Sequence, residues 1–195
     1  MDRFTKKVLC MAISCIFAVA VICPANAVTI ENGTAAMSID LNDAFETQAL
    51  TYTRIICLKH SGSYNGTLLT TCDQHSWVDG EQVWPIYRST DGGNTWSHIT
   101  DVTDSMFGTN RKAQPMLYEL PQAVGGMSAG TLLLAGNLVP HDQSSSRLVI
   151  YKSSDHGSTW AYLSTVDTGG PFVYDRSPSS TTTTVWEPYL YLDSE

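Results

Sequence analysis

One eight-residue pattern occurs twice in this 195-residue chain, and it limits the possible folds more than any other feature. Ser89-Thr90-Asp91-Gly92-Gly93-Asn94-Thr95-Trp96 returns as Ser153-Ser154-Asp155-His156-Gly157-Ser158-Thr159-Trp160. Both copies fit S-x-D-x-G-x-T-W, and each follows a similar run, Ile86-Tyr87-Arg88 and Ile150-Tyr151-Lys152. The chemistry is that of a tight hairpin. An Asp carboxylate accepts backbone N–H groups across such a turn. Glycine at Gly93 and Gly157 permits a backbone conformation closed to other residues, and the Trp opens the next strand. The pattern predicts two hairpins of one design, with Asp91 and Asp155 as turn residues rather than catalytic acids.

The rest of the chain reads as β-structure. Short β-rich runs at Thr53–Leu58, Thr67–Cys72, Val83–Arg88, Thr131–Ala135, Arg147–Lys152 and Val185–Leu192 are separated by Gly, Asn, Asp and Ser, a rhythm that predicts an all-β fold. A second repeat is subtler. Gln114-Pro115-Met116-Leu117-Tyr118 and Glu187-Pro188-Tyr189-Leu190-Tyr191 share x-P-x-L-Y, and Arg54-Ile55-Ile56-Cys57-Leu58 also sets one polar residue before an apolar run. Arg54 and Gln114 precede their hairpin motifs by similar distances. Each unit then reads as strand, Gly-containing turn, strand, loop, strand, Asp hairpin, strand. A repeated four-stranded unit of about 60 residues predicts the blades of a β-propeller. If the x-P-x-L-Y strand is innermost, Arg54, Gln114 and Glu187 lie at one mouth of the central channel, a natural ligand site. The alternative is that they cap strands or bond neighbouring blades.

The beginning of the chain has a different character. Arg3, Lys6 and Lys7 precede an apolar run from Val8 to Cys23, and Ala25-Asn26-Ala27 is a small-x-small cleavage site. That order predicts a secretory signal peptide over residues 1–27 and a secreted, extracellular protein. The run falls short of the roughly 20 residues of a spanning helix. The excess of 19 Asp+Glu over 11 Lys+Arg, a net −8, excludes the basic footprint of a nucleic-acid binder and disfavours an anionic membrane surface. After cleavage Cys57 and Cys72 remain, and either a cross-strand disulfide or two buried thiols fits them. No cofactor is expected. His60, His75, His98, His141 and His156 lack metal-ligand spacing, and there is no P-loop or dinucleotide fingerprint. Asn32 and Asn65 head glycosylation sequons that matter only on a eukaryotic secretory route.

The doubled motif resembles the Asp-box, the bacterial neuraminidase repeat of sialidases and related propeller glycosidases. Other segments are more particular. Pro85–Gly93, Leu117–Pro121, Ala129–Asn137 and Val185–Leu190 resemble the exo-α-1,5-L-arabinanase family, over nearly all of the chain from about Tyr52 onward. The resemblance implies a six-bladed propeller, a retaining mechanism with two glutamates, and an arabinan-like polysaccharide as substrate. It implies that Glu187 of the W-E-P segment is the acid/base. Trp186 would offer a flat face to a sugar or lie between blades. Asp73 would hydrogen-bond a sugar hydroxyl or serve as a turn residue. Six blades need roughly 350 residues. Residues 28–195 are therefore expected to be a partial propeller, about two blades and the first strand of a third. They would be a truncated product or fragment without appreciable glycosidase activity, the second glutamate lying beyond Glu195. Two other readings compete. One is a sialidase, since Tyr52-Thr53-Arg54-Ile55-Ile56 faintly resembles the sialidase Arg-Ile-Pro segment. The other is a non-catalytic propeller that binds carbohydrate or protein.

Overall fold

The computed structural model describes residues 11–12, 16–17, 50–74, 82–104, 106–108, 111–173, 181 and 183–193. A two-residue antiparallel pair, β1 (Met11–Ala12) with β2 (Ile16–Phe17), lies near the start of the chain. The body of the fold is two four-stranded antiparallel sheets. The first runs in the order β3 (Leu50–Cys57), β4 (Leu68–Gln74), β5 (Trp84–Ser89), β6 (Ser97–Val102). The second repeats it with β7 (Arg111–Glu119), β8 (Leu132–Val139), β9 (Ser146–Ser153) and β10 (Ala161–Gly169). This is the strand–turn–strand–loop–strand–hairpin–strand unit expected from the sequence, twice over. The fold is all-β and its two sheets are propeller blades, with β3 and β7 as corresponding first strands.

The hairpins between β5 and β6 and between β9 and β10 repeat nearly bond for bond. Asp91 Oδ1 accepts the Ser89 hydroxyl at 2.7 Å and the Thr95 N–H at 2.9 Å, while Oδ2 accepts the Thr95 hydroxyl at 2.6 Å. Asp155 accepts from Ser153 and Thr159 at 2.7, 2.9 and 2.6 Å. Each Trp indole closes its turn by donating to a glycine carbonyl, Trp96 to Gly93 at 3.1 Å and Trp160 to Gly157 at 3.0 Å. Donors from the Thr95 hydroxyl, the Thr95 N–H and Ser89 hold the Asp91 carboxyl down at about 2. The carboxylate is spent on its own turn.

The core lies between the blades. Leu69, Trp84, Ile86 and Val102 of the first blade form one buried cluster with Leu117, Leu132, Leu134, Leu138, Val149 and Tyr151 of the second. Strand β8 is buried along its whole length. That explains why Leu132-Leu133-Leu134-Ala135 runs apolar without alternation: a strand covered on both faces has no polar side to show. Trp84 is fully buried and meets Tyr151 edge-on at 6.1 Å. Its ring lies directly over Gly136, where an added Cβ would stand 2.3 Å from Trp84 Cζ2. Gly136 is the gap in β8 that admits the indole, a close approach of the kind glycine marks within a strand.

Of the alternatives left open for Cys57 and Cys72, the disulfide between them falls: Cys72 is a free, buried thiol, raised to about 12 by burial and the neighbouring Asp73. The β3–β4 register explains this, because Cys57 lies opposite Leu68, four residues short of Cys72. Val185–Leu192 forms no strand. It is laid along the second blade instead. The Val185 N–H donates to Ser146 Oγ, the Leu190 N–H contacts Met116 Sδ, and the Leu192 N–H donates to the Tyr118 hydroxyl, each at 3.1 Å. Strand pairing needs a neighbouring backbone, and here side chains of the adjacent blade take the N–H groups.

Gly136→Ala forces Trp84 out of its slot and is expected to destabilise the fold by about 1–3 kcal/mol, read from urea melts. In a Trp84→Phe background the same substitution should cost less. Equal costs in both backgrounds would mean the indole is not what Gly136 accommodates.

Candidate functional site

Strands β3 and β7 and the Val185–Leu192 segment share an unusual backbone feature. Tyr52, Gln114 and Glu187 all lie in the left-handed region, at φ 52°, 55° and 41°. Non-glycine residues avoid this region at a cost of about 1–2 kcal/mol. The β3–β4 ladder is irregular between Thr51 and Arg54, and the β7–β8 ladder between Ala113 and Met116. The kinks at Tyr52 and Gln114 are thus bulges, which bend the strand and re-aim a side chain, while Glu187 has the same backbone conformation outside any ladder. Pro115 and Pro188 follow two of the kinks and disfavour the ordinary helical region for the residue before them.

A bulge also turns one backbone N–H away from its own ladder, and that donor needs a partner. The Gln114 N–H donates to Asp73 Oδ1 of the preceding blade at 2.5 Å. The Glu187 N–H donates to Gln114 Oε1 at 3.1 Å, and the same oxygen accepts Asn137 Nδ2 at 2.6 Å. Asp73 and Asn137 are equivalent residues, each opposite the residue before a kink: Thr51 pairs with Asp73 and Ala113 with Asn137. The Tyr52 hydroxyl closes the group by donating to Glu187 Oε1 at 3.0 Å.

The electrostatics follow from burial. Asp73 is 5% exposed. Burial raises its carboxyl to about 7, against the lowering effect of the Gln114 N–H and of the Arg111 and Arg54 guanidiniums. For the Tyr52 phenol, the lowering effect of the Gln114 side chain is outweighed by burial and by the Glu187 carboxylate. The phenol's net shift is upward, and at neutral pH it is a protonated donor.

Of the residues singled out from the sequence, Asp73, Gln114 and Glu187 come together. Glu187 is exposed and Gln114 is buried. Arg54 does not occupy the expected position. The bulge places Tyr52 in register with Gln114 and Glu187, and Arg54 falls level with Met116. Arg54 is exposed, donates to the Thr53 carbonyl at 3.3 Å and stands 5.9 Å from the centre of the Tyr52 ring. Trp186 is 36% exposed and leans on Phe172, ring centres 4.5 Å apart, with the Arg111 guanidinium also over Phe172 at 5.1 Å. Tyr52 and Asn137 were not singled out from the sequence. Aligning Tyr52 rather than Arg54 with Gln114 would have brought the two blades closer in their spacing to the Asp hairpin. Asn137 carries no local signal. Among the described residues, no group of three or more His, Cys, Asp or Glu is arranged to hold a metal ion.

This architecture defines a β-propeller with a polar cluster at corresponding positions of its first strands. No protein-family model and no curated protein matches the chain. Solved structures do. The α-L-arabinofuranosidase of Fusarium graminearum, in complex with an iminosugar inhibitor, is similar with a TM-score of 0.66 at 37% identity, over 75% of this chain and 38% of that one. The same GH93 enzyme with arabinobiose matches with a TM-score of 0.66 at 37% identity, over 74% and 38%. The Penicillium chrysogenum α-L-arabinanase complexed with arabinobiose matches with a TM-score of 0.65 at 40% identity, over 74% and 38%. The chain thus resembles GH93 arabinan-directed enzymes and spans 38% of the length of these three structures.

Asp73 gives the site a stability signature. Its folded-state value of about 7 lies above the unfolded value near 4, so the folded chain holds the extra proton between those limits. The contribution is fully present below about pH 4 and is lost as pH rises through about 7. Asp73→Asn removes that dependence. Urea melts at pH 4, 5.5 and 7 should show wild-type stability falling more steeply with pH than that of the variant; parallel slopes would contradict this placement of the carboxyl.

Proposed function

We propose that this chain belongs to a secreted, exo-acting, retaining glycoside hydrolase that acts on an arabinan-like polysaccharide, with Glu187 as its acid/base. One observation carries the reading. The chain is 37–40% identical to arabinan-directed enzymes, and Glu187 stands exposed at a strained backbone position, its backbone held by Gln114 and its carboxylate met by Tyr52. An exposed carboxyl on a fixed backbone is placed to pass a proton to a departing sugar oxygen. The neighbouring Trp186 supplies an apolar surface beside it. Neither step calls on a cofactor or metal, and the implied partner is an oligosaccharide rather than nucleic acid or membrane.

Retention requires a second carboxylate about 5 Å away as nucleophile. Asp73 does not suit that role: it is buried and committed to the Gln114 N–H. The nucleophile would come from outside the described residues. Sialidases use a tyrosine nucleophile, and Tyr52 is poorly suited to it, since its phenol is raised rather than lowered. Arg54 lies away from the bulge, which weakens its reading as a carboxylate grip.

Two measurements test the reading. In the protein as its native source makes it, Glu187→Gln should lower kcat on linear arabinan by about 10²–10⁴-fold while leaving the Kd for arabinobiose within a few fold. Undiminished turnover would remove Glu187 from the chemistry, and turnover on a sialoside instead of arabinan would favour the sialidase reading. Binding of arabinobiose without turnover in any form would favour a carbohydrate-binding propeller. Separately, N-terminal sequencing of the exported protein should begin at Val28. A chain still beginning at Met1 would argue against cleavage.

A further inference from the structure

Glu187 is exposed, and an exposed glutamate samples several rotamers. A general acid must present one oxygen to one bond, so something has to hold its carboxyl. Gln114 fixes the backbone through the Glu187 N–H but leaves the side chain to turn. The side chain that meets the carboxylate is Tyr52, two blades back along the chain, whose hydroxyl donates to Oε1 at 3.0 Å. Tyr52 is well anchored for this. It sits on the β3 bulge, is partly buried, and has the Arg54 guanidinium over its ring.

We propose that Tyr52 is the positioning residue of this site: its hydroxyl ties down Glu187 Oε1 so that Oε2 faces the glycosidic oxygen. The inference rests on the reading of Glu187 as acid/base. The phenol forms no covalent bond and gives up no proton in this role. It donates the same hydrogen bond before and after Glu187 passes its proton from Oε2 to the leaving sugar. The geometry also explains why the first blade places a tyrosine where the second has Gln114 and the next first-strand segment has Glu187. The shared left-handed kink accompanies the meeting of all three side chains, and a long, rigid donor spans the distance from β3.

The test compares wild type, Tyr52→Phe and Glu187→Gln in the protein as its native source makes it, on arabinan and on an activated aryl arabinobioside. Phe keeps the ring and removes only the donor, and thermal melts confirm that each variant is folded. A hydrogen bond to a charged group carries about 10–100-fold in rate. Tyr52→Phe is therefore expected to lower kcat on arabinan by that factor with KM nearly unchanged. Its loss on the aryl substrate should be much smaller, because a good leaving group needs little proton donation. A purely structural role would lower both substrates alike or raise KM, and that result overturns the proposal. Full activity in Tyr52→Phe with a disabled Glu187→Gln also overturns it while leaving Glu187 in place. Full activity in Glu187→Gln, or no turnover by wild type, instead removes the reading of Glu187 and this inference with it.

Discussion

A backbone N–H that leaves its ladder must find another acceptor, and much of the site is organised around that requirement. The kinks at Gln114 and Glu187 each turn a donor toward the preceding blade. In the first case the acceptor is the buried Asp73 carboxyl, and in the second it is the Gln114 amide, steadied by Asn137. These bonds offset the left-handed strain, and the strain re-aims the side chains. Without the acceptor the bulge would relax toward a regular strand. Without the bulge, Gln114 would follow the alternation of β7 and lose its common focus with Glu187. Structure and site therefore depend on the same few bonds.

Packing between the blades supplies the rigidity those bonds need. The main hydrophobic cluster draws on both sheets, so neither blade has a complete core alone. Burying an indole such as that of Trp84 is worth about 4–6 kcal/mol of apolar area, and its slot over Gly136 sets how closely the sheets approach. At the far end of β7 the Glu119 carboxylate accepts the N–H groups of Lys59 and His60 at 2.7 and 3.0 Å and the Ser61 hydroxyl at 2.6 Å. One end of β7 is thereby tied to the first blade by Glu119 and the other by Asp73.

The parts legible in the sequence were those whose chemistry is local. The Asp hairpins were readable because Ser, Asp, Gly, Thr and Trp satisfy one another within eight residues, and the structure shows those bonds in both copies. The order of strands within each blade followed from the hairpins. Whatever depended on register was misread. A bulge inserts residues without changing composition, so Arg54 was aligned where Tyr52 belongs, and a Cys57–Cys72 disulfide stayed open although Cys57 faces Leu68. Val185–Leu192 has the composition of a strand, but pairing depends on a neighbour that composition does not describe. Asp73 was noticed for its possible contact with sugar. Its contact with a backbone N–H across the blade junction involves residues 41 positions apart, which no local pattern records.

The acceptors of the Gln114 and Glu187 N–H groups both lie earlier in the chain than their donors. Asp73 precedes the donor it serves, and Gln114 precedes Glu187. A chain delivered N-terminus first, from a ribosome or through an export channel, would thus present each acceptor before the strained residue that needs it. The second blade would not have to wait with an unsatisfied bulge for a later one to appear. The glutamate assigned to chemistry would be set after Asp73 and Gln114, onto a platform already in place, so that along this stretch the order of assembly runs with the order of synthesis.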